Sequence, residues 1–251
     1  MTELVHLNVD SGIATITLDS PANRNALSAQ LMNEFSTHLE SASSNAAVRS
    51  VVLAHTSSTF CSGADLSGDS GPEKDMAQLA AILLQMLECP KPILARIEGH
   101  VRGGGLGLVA ACDVAVASLE SSFAFSEVRL GVAPAIISLT VLPRLSSRAA
   151  SKYFLTGDRF DAAEAERIGL ITTATDQPEA VLQQLTNSFQ LCSPVGLAET
   201  KKLTTAVLLK DFAQLEVQLT ELSVRLFASG EAQEGIAAFK ERRPPVWAEV
   251  E

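Results

Sequence analysis

Aromatic side chains are scarce in this chain of 251 residues: one Trp, one Tyr and ten Phe, 5% in all. Its core must therefore be built mainly from Ala, Val, Leu and Ile. Histidine is equally thin, with four residues and no HxxxH pair, so no metal site is expected. The four cysteines, Cys61, Cys89, Cys112 and Cys192, show no CxxC spacing. In a chain of this size they read as reduced, buried small residues of a cytoplasmic protein. No run of 18 apolar residues is present, so neither a spanning helix nor a membrane partner is expected. The opening MTELVHLNVD lacks a basic region followed by an apolar stretch, so no secretion signal is expected. Positive charge is short as well. Nineteen Lys and Arg stand against 29 Asp and Glu, a net of -10 that repels phosphate backbones and argues against a nucleic-acid partner. A small anionic ligand stays open if basic residues gather locally.

What is present is apolar and periodic. Apolar residues make up 47% of the chain, and a chain of this length buries roughly 70% of its extended surface, so a sizeable core is available. Val5, Leu7 and Val9 alternate, Asp10-Ser11-Gly12 turns, and Ala14, Ile16 and Leu18 alternate again, which predicts a β-hairpin. Ser28 is a candidate helix N-cap ahead of Leu31, Met32, Phe35 and Leu39. Val51–Ala54, Ile93–Ile97 and Val114–Ala117 read as strands, with helices at 76–88 and after the glycine cluster at 103–107. This alternation predicts an α/β body with mainly parallel pairing. Beyond Leu145 strand signals fade. Asp161 opens a helix that ends near Gly169, and segments 178–191, 196–208, 211–228 and 231–240 read as further helices. Residues 1–190 are thus expected to form the α/β body and 191–251 a helical tail. The segment Ser67–Pro72 has the composition of a loop.

Two glycine-containing turns carry the chemistry. The first is Phe60-Cys61-Ser62-Gly63-Ala64-Asp65-Leu66, just after a strand. The second is Gly99–Gly107, between a strand and a helix. Glycine lets backbone approach a ligand closely, and a helix N-terminus leaves N–H groups unpaired. Two such turns can aim two N–H donors at one oxygen, as an oxyanion hole requires. For either turn taken alone, tight turning and close helix packing is the better reading. The dinucleotide fingerprint fails, because Leu108 occupies the place of its third glycine.

Taken together, the motifs resemble the enoyl-CoA hydratase/isomerase (crotonase) superfamily. They are Asn25-Ala26-Leu27, the Ser62–Leu66 turn, Gly103-Gly104-Gly105 with Ala111-Cys112-Asp113, Phe125-Ser126-Glu127 with Leu130-Gly131, Ala162–Ala165 with Gly169-Leu170-Ile171, and Phe239–Arg242. They follow the family's order and spacing over most of the chain. The resemblance implies a spiral of ββα units with a helical C-terminal trimerisation region, assembled as a homotrimer or a dimer of trimers. It implies an acyl-CoA thioester substrate and no cofactor beyond the coenzyme A that the substrate carries. It places the thioester carbonyl between the backbone N–H groups of Ala64 and Gly104.

The chain departs from the family in its acid/base pair. Family hydratases use two glutamates, and here the first position is Gly107 while the second is Glu127. One carboxylate still suffices to add or remove a proton. The resemblance therefore leaves open a hydratase or dehydratase, a Δ3–Δ2 enoyl-CoA isomerase, a decarboxylase and a non-catalytic acyl-CoA binder. Residues 105–110 and 127–138 are similar to hydratases of 3-methylglutaconyl-type CoA esters. Pro134-Ala135-Ile136-Ile137-Ser138 replaces the family's glycine-rich turn.

By the same resemblance Arg24, Ala26, Leu27, Ser62, Gly63, Asp65, Leu66, Gly103, Phe239 and Lys240 are candidates to hold coenzyme A. Lys240–Arg243 is also the kind of charge run that covers a solvated helix face. His100 and Arg102 either face the acyl chain, where Arg102 can pair with a distal carboxylate, or lie at the surface. Cys61 lacks a nearby His and fits a packed thiol better than a nucleophile. The loop from Ser67 to Lys74 is a candidate lid.

Overall fold

Alternating apolar residues on either side of Ser11-Gly12 produce the first hairpin. Both turn residues have positive φ (48° and 78°), the conformation that a two-residue hairpin turn demands. Strands β1 (Val5–Asp10) and β2 (Ile13–Leu18) pair antiparallel across it. The computed structural model describes residues 2–66 and 71–248. Ser67–Ser70, most of the candidate lid, lie outside the described residues.

The next segments repeat one pattern. Helix α1 (Ala29–Ser44) starts at Ser28, whose side chain accepts from the Leu31 N–H, and buries Leu31, Met32, Phe35 and Leu39. Then come β3 (Ser50–His55), β4 (Thr59–Cys61) and α2 (Pro72–Glu88). After these follow β5 (Ile93–Ile97), β6 (His100–Arg102) and α3 (Gly104–Ala111). A third pair, β7 (Val114–Ser118) and β8 (Ser122–Ala124), leads into a 3₁₀ turn at Ser126–Leu130. In each repeat the first strand joins a large sheet and the second a small one, the ββα spiral that the motifs imply. The connection continues through α4 (Ala135–Val141), α5 (Ser147–Thr156), β9 (Phe160–Asp161), α6 (Ala162–Arg167) and β10 (Thr173–Thr175). Helices α7 (Pro178–Gln190), α8 (Pro194–Phe227) and α9 (Gly230–Glu241) complete it.

The large sheet runs β1-β2-β3-β5-β7-β10 and the small one β4-β6-β8-β9. Pairing is parallel except for β1/β2 and β8/β9. Period-2 alternation sorts the large sheet's side chains. Val51, Leu53, Ile93 and Ala95 join the main core, while Val52, Leu94 and Val116 meet Leu182 of α7 on the other face. In the small sheet the register slips. Thr59 pairs with His100 but Cys61 pairs with Val101, so β4 carries one residue more than β6.

Three expectations need correction. The tail has one 34-residue helix where two were expected at 196–208 and 211–228. Leu208 and Phe212, four apart and both buried, carry one apolar face across the assumed break. Two strands lie beyond Leu145, but β9 and β10 have only two and three residues, too few to show a period. Cys192 is exposed in the connection between α7 and α8, whereas Cys61, Cys89 and Cys112 are buried. Helix α8 is anchored by a buried ion pair. Lys201 Nζ lies 2.8 Å from Asp113 Oδ2 and donates to the carbonyls of Met86 and Lys91.

Candidate active site

The segment before α1 is fastened to the first glycine turn. Asn25 is fully buried with φ 54°, and its side chain accepts from the Ser20 N–H (2.6 Å) and donates to the Thr59 carbonyl (2.8 Å). Ser62 N–H donates to the Arg24 carbonyl, and Leu27 N–H to the Gly63 carbonyl, so Leu27 and Ala64 form a parallel bridge. Arg24, Ala26, Leu27, Ser62, Gly63, Asp65 and Leu66 thereby border one cavity of about 640 Å³.

The second turn meets the first glycine to glycine. Gly63 and Gly103 both have positive φ, 93° and 49°. A Cβ on either would lie 3.5 Å from the other's Cα, so the two chains approach as closely as backbone allows. Ala64 and Gly104, the next residue of each turn, also line the cavity. Among the described residues neither N–H donates a hydrogen bond. Gly104 opens α3, all eight residues of which are buried.

Glu127 faces this junction from the 3₁₀ turn after β8. Its Oε1 would lie 3.5 Å from a Cβ on Gly103. As a residue Glu127 is half-buried, but its Oε2 is sealed from solvent and has no hydrogen-bond partner among the described residues. Burial pushes its carboxyl up from 4.5 to about 7, opposed slightly by its own backbone amide. The carboxyl is therefore poised to hold or release a proton near neutrality.

The position of the missing glutamate is filled. A Cβ on Gly107 would lie 2.7 Å from Ile137 Cγ2 and 3.1 Å from Ile137 Cβ. The two departures noted in the sequence thus touch: α4 supplies bulk where α3 supplies none. Ile137 lines the cavity and Gly107, behind it, does not.

Charge in the lining inverts that of the chain. Arg24, Arg102, Arg129, Arg159, Lys240 and Arg243 border the cavity against Asp65, Asp75 and Glu127. Arg243 pairs with Glu234 and Glu241, and Arg129 with Asp158. Lys240 Nζ donates to the Leu66 carbonyl (2.7 Å), which brings the end of α9, with its exposed Phe239, onto the first turn of the same chain. The side chains of Arg24 and Arg159 have no hydrogen-bond or ion-pair partner among the described residues. Arg102 donates to the carbonyls of Val101 and Ser122 and to Ser122 Oγ, the hydroxyl that also bonds His100. Burial and the charge of Arg159 bring Arg102 down to about 10. Cys61 is fully buried and burial pushes its thiol up to about 12, a packed group and not a nucleophile. No group of three His, Cys, Asp or Glu side chains is placed to hold a metal among the described residues.

The candidate catalytic and coenzyme A residues therefore converge on one cavity with Arg102, whereas His100 is exposed and does not line it. Sequence reasoning missed Met76, Leu79 and Arg159. The apolar period of α2 hinted at the first two, and nothing local marked Arg159.

Residues 8–250 match the family model for enoyl-CoA hydratase/isomerase. The chain belongs to the enoyl-CoA hydratase/isomerase family. A crystal structure of an enoyl-CoA hydratase from Mycobacterium avium shares 50% identity, covers 98% of this chain and 100% of its own, and superposes with a TM-score of 0.93. An enoyl-CoA hydratase of Alternaria alternata is 31% identical over 96% of this chain and 83% of its own. The 2,3-dehydroadipyl-CoA hydratase of Escherichia coli K12 is 29% identical over 98% of both chains. The protein is thus an enzyme of the enoyl-CoA hydratase/isomerase family, with the crotonase fold. No helix among the described residues is long and apolar enough to cross a membrane.

Proposed function

We propose that the enzyme hydrates a 2-enoyl-CoA thioester, or dehydrates the 3-hydroxyacyl-CoA, with Glu127 as its only acid/base. One observation carries this: Glu127 Oε2, buried and without a hydrogen-bond partner among the described residues, beside the contact between Gly63 and Gly103. The thioester oxygen accepts from the Ala64 and Gly104 N–H groups. As water adds to C3, the Glu127 carboxylate takes one of its protons and the π electrons move onto the thioester oxygen as an enolate. The enolate collapses, and protonated Glu127 returns the proton to C2. Donors set for the enolate stabilise it more than the ground-state carbonyl, and losing one typically costs about 3–4 kcal/mol of barrier. A carboxyl near 7 populates both required protonation states at neutral pH.

A second reading draws on Ile137. With the Gly107 position filled by an alkyl group, a lone carboxylate can instead take a proton from C2 of a 3-enoyl-CoA and deliver it to C4. Coenzyme A phosphates lie toward Arg24 and Lys240, with Phe239 beside them. The tail at 191–251 builds a homotrimer or dimer of trimers through the exposed Leu203, Val207 and Val217 of α8, and the enzyme works in the cytoplasm. Incubation with crotonyl-CoA, a 3-enoyl-CoA and 3-methylglutaconyl-CoA, followed by ultraviolet absorbance and mass, tests these roles. Gain of 18 mass units on a 2-enoyl ester supports hydration, and isomerisation without mass change supports the second reading. Tight binding with no turnover of any of them refutes both.

A further inference from the structure

The cavity has an end as well as an entrance. Gly104 and Gly107 lie on the same side of α3, and at 1.5 Å of rise per residue they are about 4.5 Å apart along the axis, the span of roughly three or four acyl carbons. At that depth the cavity meets Ile137, which is only 3% exposed. Leu83, fully buried, lies just behind it, 3.5 Å from the place of a Cβ on Gly107. At the Gly104 end, Leu27 Cδ1 and Leu79 Cδ2 crowd the place of a Cβ on Gly104 at 2.7 and 3.4 Å. The lobe therefore closes on packed core. The neighbouring depression bounded by Leu31, Phe35 and Ile82 holds no volume for a water.

We propose that Ile137 is the end wall of the acyl lobe and restricts the enzyme to short acyl-CoA esters of about four carbons. The proposal rests on the reading that the Gly104 N–H anchors the thioester oxygen, since that fixes where the acyl carbons begin. Longer chains would have to displace Ile137 into Leu83 and α3, where no methyl-sized gap remains. A methylene more or less against a hydrophobic wall changes kcat/KM by about 10- to 200-fold, so the discrimination is measurable.

The test compares four-, eight- and ten-carbon 2-enoyl-CoA esters with wild type and Ile137→Ala. The expected result is a wild-type preference for four over eight carbons of at least about tenfold, and a rise of about tenfold or more in the eight-to-four ratio for Ile137→Ala. Equal wild-type kcat/KM for four and eight carbons, or an unchanged ratio in the variant, overturns the proposal. If Ile137→Ala does not fold, Ile137→Val carries the same comparison with a smaller expected change in the same direction. Binding of butyryl-CoA and octanoyl-CoA to the wild-type enzyme separates the wall from the chemistry. Preference for butyryl-CoA without turnover keeps the wall and removes the catalytic reading. Turnover without length preference keeps the chemistry and removes the wall.

Discussion

Replacing Glu127 by Gln should abolish turnover and at the same time stabilise the fold, but only at high pH. The carboxyl titrates near 4.5 in an unfolded chain and at about 7 in the folded one, where burial penalises its ionised form. Each pKa step is worth 1.36 kcal/mol, so above pH 8 the ionised group costs the native state up to about 3 kcal/mol. The value is an upper one because the residue keeps partial exposure through the cavity. The sign follows from the raised folded value. Below pH 4.5 the group is protonated in both states and costs nothing through ionisation. As pH rises from 4.5 through 7 the unfolded state releases its proton first, and stability is lost. Gln does not ionise and carries no such penalty. Urea or thermal unfolding of both proteins at pH 5 and pH 8, at one protein concentration, reads the effect. The advantage of Glu127→Gln should grow by about 2–3 kcal/mol between the two pH values. For a chain of this length that amounts to roughly 4–12 °C in Tm. Turnover should fall by about 10²- to 10⁴-fold. An equal stability difference at both pH values would refute the buried ionisable carboxyl, and near-normal turnover would refute its catalytic role.

Other perturbations isolate other parts of the site. Ala64→Pro removes an N–H that has no hydrogen-bond partner among the described residues, so the fold should survive while kcat falls by about 10²- to 10³-fold; unchanged turnover in the folded variant argues against the oxyanion role. Arg24→Ala and Lys240→Ala should weaken acyl-CoA binding and flatten its salt dependence, measured by calorimetry at two ionic strengths, whereas unaltered affinity places the phosphates elsewhere. Gly107→Ala pushes a methyl to within 2.7 Å of Ile137 Cγ2 and should destabilise by about 1–3 kcal/mol. Combined with Ile137→Ala it should cost less than the sum of the two, and strict additivity in the double-mutant cycle would deny the contact. His55 accepts from the Glu98 N–H through Nε2, and burial holds its pKa below 6.5. Acid unfolding should therefore gain a contribution between pH 6.5 and that lower value, absent in a folded His55→Gln variant.

The spiral was legible because its signals are local. Alternation around Ser11-Gly12, the Ser28 cap and the strand–glycine–helix order each reside within a dozen residues. The break expected at residues 209–210 is bridged because Leu208 and Phe212, four apart, continue one apolar face across it. In the site, both glycine turns and Glu127 stood out, as did the two anomalies at Gly107 and Ile137. That these anomalies explain each other was not legible, since they lie thirty residues apart and meet only through the packing of α4 on α3. Arg159 was invisible for the same reason. It precedes a two-residue strand and reaches the cavity through a sheet whose order depends on distant pairings.

The slip in the small sheet has a consequence for timing between the two turns. If Phe60 were paired and β4 ran without a bulge, the pairing of Thr59 with His100 would continue as Cys61 with Arg102, and Gly63 would come level with Gly104. With it, Cys61 stands beside Val101, and two steps later Gly63 stands beside Gly103. The irregular residue thus works like a spacer that brings two separately coded loops into phase.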